Sequence, residues 1–126
     1  MEAGVELRDR MRAALRAAMR VRDKPAARAL RSALAAIDNA ESAGITDDRP
    51  AGTIEDAAGL GAAEVSRRHL DTAQIEAIVR TEITERHTTA QEYERIGRPE
   101  RAAELRHEAG VLAEQLDGPV TGTPPA

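Results

Sequence analysis

A single aromatic side chain, Tyr93, serves this whole chain of 126 residues. That scarcity limits what the chain can fold into. Phe and Trp bring the largest buried areas to a core, and here neither occurs. Ala fills 26 positions, while Leu, Ile, Val and Met together fill 25. Ala is the best helix former, and on facing helices it lets backbones approach closely. The expected fold is therefore all-α, with closely packed helices around a thin core. The length suits one small domain. Cys is absent, which excludes disulfides, thiolate metal sites and thiol nucleophiles. No apolar run approaches a membrane span, and the N-terminus lacks the apolar segment of a secretory signal, so the cytoplasm is the expected compartment.

Periodicity predicts four helices. The first runs from about Gly4 to Arg22, with Leu7, Met11, Leu15 and Ala18/Met19 in one stripe. Asp23-Lys24-Pro25 breaks it, and Pro25 suits the first turn of a second helix. That helix carries Ala26, Ala29/Leu30, Ala33/Leu34 and Ile37, and is expected to stop near Ala43 with Gly44 in the left-handed closing position. Asp71 reads as the N-cap of a third helix. Gln74 completes a capping box, and Leu70 and Ile75 are placed for a hydrophobic staple. Ile75, Ile78/Val79, Ile83, Ala90 and Tyr93 follow. Gly97 is positioned to end this helix and Pro99 to begin a fourth, which carries Ala102, Leu105, Ala109, Leu112 and Leu116. The short breaks predict two antiparallel helical hairpins forming a four-helix bundle.

Residues 45–70 fit neither hairpin and form a long loop between them, within a domain expected over 1–117. Thr53 could cap a short turn through Ile54 to Ala58. The "GLGAA" stretch lacks the Gly-Lys-Ser/Thr ending of a phosphate loop. Arg67, Arg68 and His69 make a small basic cluster. Residues 118–126 read as a disordered tail.

The charge is unevenly spread. The chain carries a net −4, yet residues 1–44 hold nine basic and six acidic side chains. Arg8, Arg12, Arg16 and Arg20, spaced by four, form one ridge beside the apolar stripe. Such asymmetry is compatible with contact to nucleic acid. It is equally compatible with docking of the basic hairpin on the acidic one, the arginine stems covering the edge of the core. The candidate nucleic-acid contacts are Arg12, Arg16, Arg20, Lys24, Arg31 and Arg86. Arg86 falls between Ile83 and Ala90 on the apolar stripe, so its guanidinium needs a carboxylate there or points toward a bound anion.

Other chemistry is thinner. His87 and His107 could face each other across the Gly97 turn, with Glu104 or Glu108 nearby, but position 107 falls off the apolar face; no metal or other cofactor is expected. Glu82/Glu85 and Glu92/Glu94 read as solvated helix charge. Ser32, Ser42 and Ser66 sit in no nucleophile elbow and have no visible His–Asp partnership, so no catalytic residue is expected.

The segments "AMRVRDKPAARALRSALAAIDNAE" (residues 18–41) and "RHTTAQEYERIGRPERAAELRHEAGVLAEQL" (86–116), with their spacing, resemble the YqeY family. The matching positions are Ala18-Met19, Asp23-Lys24, Leu30-Arg31, Ala35-Ala36-Ile37, Arg86, Thr89 (usually Ser in the family), Tyr93, Gly97-Arg98, Glu108, Leu112 and Leu116. That family is similar to the C-terminal helical region of the B subunit, GatB, of the Glu-tRNA(Gln)/Asp-tRNA(Asn) amidotransferase. The resemblance implies an all-helical domain and a connection to tRNA-dependent amidation, a carbon–nitrogen ligation with glutamine as amido donor. In GatB the amide-transfer chemistry belongs to other domains, and the helical region and tail help hold tRNA. The family pattern has Leu-Pro after the last bundle helix and then a smaller helical domain. Here Leu116 is followed by Asp117-Gly118-Pro119, so that small domain is not expected.

The function expected from the sequence is a non-catalytic YqeY-like module, accessory to the amidotransferase or binding tRNA. The alternative is a protein–protein interaction module unrelated to RNA. Neither expectation involves a membrane.

Overall fold

A computed structural model describes residues 3–47 and 69–118. They form four helices: α1 (Ala3–Arg20), α2 (Lys24–Asp47), α3 (Thr72–Arg95) and α4 (Pro99–Asp117). No strand occurs among the described residues. The helices pack on one another as a helical bundle, and none of them is long and apolar enough to cross a membrane.

The helix ends follow local chemistry. Asp71 accepts from the Gln74 N–H at 2.8 Å, and the Gln74 side chain accepts from the Asp71 N–H at 2.9 Å. This is the capping box expected for α3. Leu70 packs against the cluster that holds Ile75. At the far end of α3 the Arg98 N–H bonds the Tyr93 carbonyl at 2.7 Å and the Gly97 N–H bonds the Glu94 carbonyl at 3.1 Å. That pair of bonds is a Schellman closure, with Gly97 left-handed at φ 81°. Pro99 then opens α4.

α1 closes the same way. The Asp23 N–H bonds the Ala18 carbonyl at 2.9 Å, and the Arg22 N–H bonds the Met19 carbonyl at 3.2 Å. The left-handed residue here is Arg22, at φ 61°. Its turn ends α1 at Arg20, two residues before the expected boundary. Asp23 caps α2 by accepting from the Ala26 N–H at 3.1 Å.

α2 departs from expectation at its other end. It runs through Gly44 to Asp47 and does not stop near Ala43. A glycine inside a helix costs about 1 kcal/mol relative to Ala but leaves the hydrogen-bond ladder intact. Only Gly97 and Gly118 take positive φ among the described glycines. Residues 45–47, expected to belong to the loop, are thus helical. The rest of that loop through Arg68, with Thr53, the "GLGAA" stretch and Arg67, lies outside the described residues, as do residues 119–126 of the tail.

The main core joins all four helices: Leu7 and Met11 of α1, Ala29, Leu30, Ala33 and Ile37 of α2, Ile75 and Val79 of α3, and Leu112 of α4. Met19, expected on the stripe of α1, is instead 52% exposed. At 3.6 residues per turn each step of four overshoots a full turn by about 40°, so three steps carry Met19 about 120° away from Leu7. A second, all-alanine cluster of Ala18, Ala26 and Ala27 closes the α1–α2 corner. A third, Ala90, Ala102 and Leu105 with Tyr93, draws only on α3 and α4.

Candidate functional site

The same winding divides the arginine ridge of α1. Arg8 turns inward, and its two terminal nitrogens reach the Glu41 carboxylate on α2 at 2.6 and 3.3 Å. That hydrogen bond raises the Arg8 pKa above its ordinary value. Arg12, one step on, is half exposed and reaches only Asp9 within its own helix, at 3.4 Å. Arg16 and Arg20 are exposed and meet no carboxylate among the described residues. Arg10, off the ridge, donates to the Gln115 carbonyl at 2.7 Å and ties α1 to the end of α4. One end of the ridge thus docks on α2 and the other faces outward.

The outward end leads to a recess of about 480 Å³ at the α1–α2 turn. Ala18, Met19 and Ala27 supply its apolar lining, and Arg22, Lys24, Arg28 and Arg31 its cations. Asp23 is the one acid in that lining, and its Oδ2 lies 2.8 Å from His107 Nε2 on α4. The hydrogen bond from His107, helped by the Ala26 N–H, holds the Asp23 carboxyl below its ordinary pKa. Arg22, Lys24 and Arg31 meet no carboxylate among the described residues.

Arg28 connects this recess to the interior. Its Nε and Nη2 both lie 3.1 Å from Glu108 Oε2. Glu108 is 2% exposed, the one buried charge among the described residues. Its other oxygen accepts from Arg86 Nε at 2.8 Å. Arg86 Nη1 in turn donates to the Glu82 carboxylate at 2.8 Å and the Glu82 carbonyl at 3.0 Å, and Ser32 donates to the same Glu82 carboxylate oxygen at 2.8 Å. Two carboxylates and two guanidiniums from three helices therefore balance each other. A buried carboxylate without such partners would cost several kcal/mol. The half-exposed Arg28 is held in the wall of the recess by Glu108 on its inner side.

Of the six candidate contacts, the structure brings Lys24 and Arg31 together in the recess and leaves Arg12, Arg16 and Arg20 along the exposed side of α1. It sets Arg86 in the Glu108–Glu82 network, between α3 and α4. Arg22 and Arg28 were not among the candidates. Arg22 was discernible as a non-glycine at the closing position, where the second turn carries Gly97. Arg28 was discernible as the residue one helical turn after Lys24.

His87 is exposed, and His107 is engaged with Asp23. No cluster of three or more His, Asp or Glu side chains suited to a metal occurs among the described residues. Comparisons with protein-family models, with curated proteins and with solved structures return no match.

Proposed function

We propose that this chain is a non-catalytic, YqeY-like helical module that binds tRNA and is accessory to the tRNA-dependent amidotransferase. One observation carries the binding half of this reading. Arg16, Arg20, Arg22, Lys24 and Arg31 form a run of cations on α1 and α2 with no carboxylate partner among the described residues. A cation left without an internal partner is free to meet phosphate, and phosphate contacts dominate affinity for nucleic acid. The amidotransferase half rests on the resemblance of residues 18–41 and 86–116 to the YqeY pattern. In the same reading the helices are two antiparallel hairpins, α1–α2 and α3–α4, making a four-helix bundle. The short turns at Arg22 and Gly97 and the Arg8–Glu41 contact support that arrangement.

The test is a filter-binding titration of tRNA over a range of salt, with the parent chain and Arg16→Gln/Arg20→Gln. Gln is also a good helix former, so the fold is kept. The expected result is affinity that falls steeply with salt, with a log–log slope smaller by about two in the double variant. No tRNA binding at low salt, or binding indifferent to the double variant, overturns the proposal.

A second reading, a protein–protein interaction module, draws on the exposed Val21 (73%) and Met19 near the same turn. It predicts a partner captured with little salt dependence and lost on Val21→Ser.

A further inference from the structure

We infer that the recess at the α1–α2 turn is a site for a nucleoside 5′-monophosphate, either a free nucleotide or the phosphorylated end of an RNA strand, with Arg22 as its main phosphate contact. The strand source rests on the tRNA reading above; the site itself rests on three observations.

The first is size. A recess of about 480 Å³ falls in the range of small-molecule sites. One nucleotide, unstacked from its neighbours, suits it.

The second is the pairing of charge with apolar surface. Arg22, Lys24 and Arg31 bring three positive charges without a carboxylate partner among the described residues. A terminal phosphate monoester carries about −1.5 to −2 at neutral pH and matches this better than an internal diester with a single charge. Beside the cations, the exposed Met19 offers apolar surface to a planar base. With no aromatic in the lining, a guanidinium plane takes the stacking role.

The third is backbone strain. Arg22 holds φ 61°, where a side chain other than Gly costs on the order of 1 kcal/mol. The equivalent turn meets the same hydrogen-bond pattern with Gly97, at no such cost. Strained backbone of this kind gathers at ligand clamps, where the side chain it displays is needed. A glycine at 22 would close α1 equally well and lose only the guanidinium.

Isothermal titration of the full chain with adenosine 5′-monophosphate, adenosine and inorganic phosphate tests the site. Binding of the nucleotide is expected, weakened about ten- to a hundredfold in Arg22→Gly by loss of a charge-assisted contact. The melting temperature of that variant is expected not to fall. Arg22→Asn, which also tolerates a left-handed backbone, should bind as weakly as the glycine variant. Adenosine or inorganic phosphate binding as tightly as the nucleotide overturns the inference, as does nucleotide binding unchanged in both Arg22 variants. A 5′-phosphorylated tetranucleotide that outcompetes its 5′-hydroxyl counterpart supports a strand end. No preference between them, with the nucleotide still bound, supports the free nucleotide. Salt-dependent tRNA binding without any nucleotide binding overturns this site and leaves the proposed function standing. Nucleotide binding without tRNA binding overturns the proposed function and leaves the site.

Discussion

The α1–α2 and α3–α4 turns close with the same two backbone hydrogen bonds, yet they match their cations to different degrees. Around α3–α4, Arg95 pairs with Glu92, Arg101 with Glu104 at 2.7 Å, and Arg106 with Glu94 at 2.6 Å. The Arg106 bond also holds the Glu94 carboxyl below its ordinary pKa. Arg101 lies over the Tyr93 ring, 5.8 Å from its centre. Around α1–α2 the cations from Arg16 to Lys24, and Arg31 beyond them, meet no carboxylate among the described residues. Surface ion pairs add little stability, but they remove a charge from the inventory available to a ligand. Around α3–α4 three arginines are internally matched and Arg98 meets no carboxylate among the described residues; around α1–α2 Arg28 alone among the cations of the recess is matched. The left-handed position follows the same division, with Gly97 in the matched turn and Arg22 in the unmatched one.

The largest expected effect concerns the group that joins the two helix pairs. Glu108 of α4 holds Arg86 of α3 and Arg28 of α2. Glu108→Ala leaves Arg86, itself 12% exposed, facing an empty space beside Glu82. Breaking a buried pair in this way costs about 3–5 kcal/mol. Equilibrium urea unfolding of parent and variant measures it. A loss under about 1 kcal/mol would mean that the network is solvated and that the two pairs are joined by the apolar core alone.

Next come the closing positions, where opposite signs are expected. Gly97→Ala forces a Cβ into the left-handed region and should cost about 1 kcal/mol, although the space around that Cβ is open. Arg22→Gly releases the same strain and should cost nothing, with a gain of up to about 1 kcal/mol partly offset by the greater freedom of Gly in the unfolded chain. Denaturation curves for the two variants, measured side by side, decide it. If Arg22→Gly destabilises as much as Gly97→Ala, the Arg22 side chain holds the turn together and the contrast between the turns collapses.

Much of this could be read from the residues before any coordinates. Pro25, Pro99, Gly97 and the Asp71/Gln74 pair punctuate the chain locally, so their roles depend on neighbours a few positions away. The stripes of α2 and α4 were equally legible, because Ala26, Ala29/Leu30, Ala33 and Ile37 in one and Ala102, Leu105, Ala109 and Leu112 in the other recur at spacings of three and four and are buried. Two kinds of feature were less so. Helical winding past three turns carries Met19 and Arg20 off the faces that Leu7 and Arg8 define, and a pattern of fours conceals that drift. Partners across helices were hidden as well. Arg86 was seen to need a carboxylate, but naming Glu108 and Glu82 requires the relative setting of α2, α3 and α4. Gly44 misled because a helix tolerates glycine when nothing else ends it.

A smaller effect separates the outer face of α4 from its inner one. Gly110 lies inside α4, and apart from its own helical turn and neighbours nothing lies within 4 Å of where a Cβ would sit. Gly110→Ala should therefore stabilise the chain by about 0.5–1 kcal/mol through backbone entropy. Thermal melts check the sign. A loss of stability would show that this face of α4, opposite the seam of Leu105, Ala109 and Leu112, is covered by something.

The smallest effect is a pH dependence at the contact between His107 of α4 and Asp23 of the α1–α2 turn. The Asp23 carboxylate lies 2.8 Å from His107 Nε2 and caps α2 through the Ala26 N–H. Both partners favour its charged form, so its folded pKa lies below the ordinary 3.8. A depressed acid contributes stability that is complete above its unfolded pKa and is lost as pH falls through the folded one. The window is therefore below about pH 4, not near neutrality. Because the pair is largely exposed, the contribution is under about 1 kcal/mol. Asp23→Asn keeps a capping acceptor while removing the charge. The stability gap between parent and Asp23→Asn should narrow as pH drops below 4. A gap that stays constant into that acid range would mean that Asp23 acts through its cap alone. His107 would then add nothing to the fastening of α4 to this corner, which Arg28–Glu108 and the packing of Val111 on the alanine cluster would carry alone.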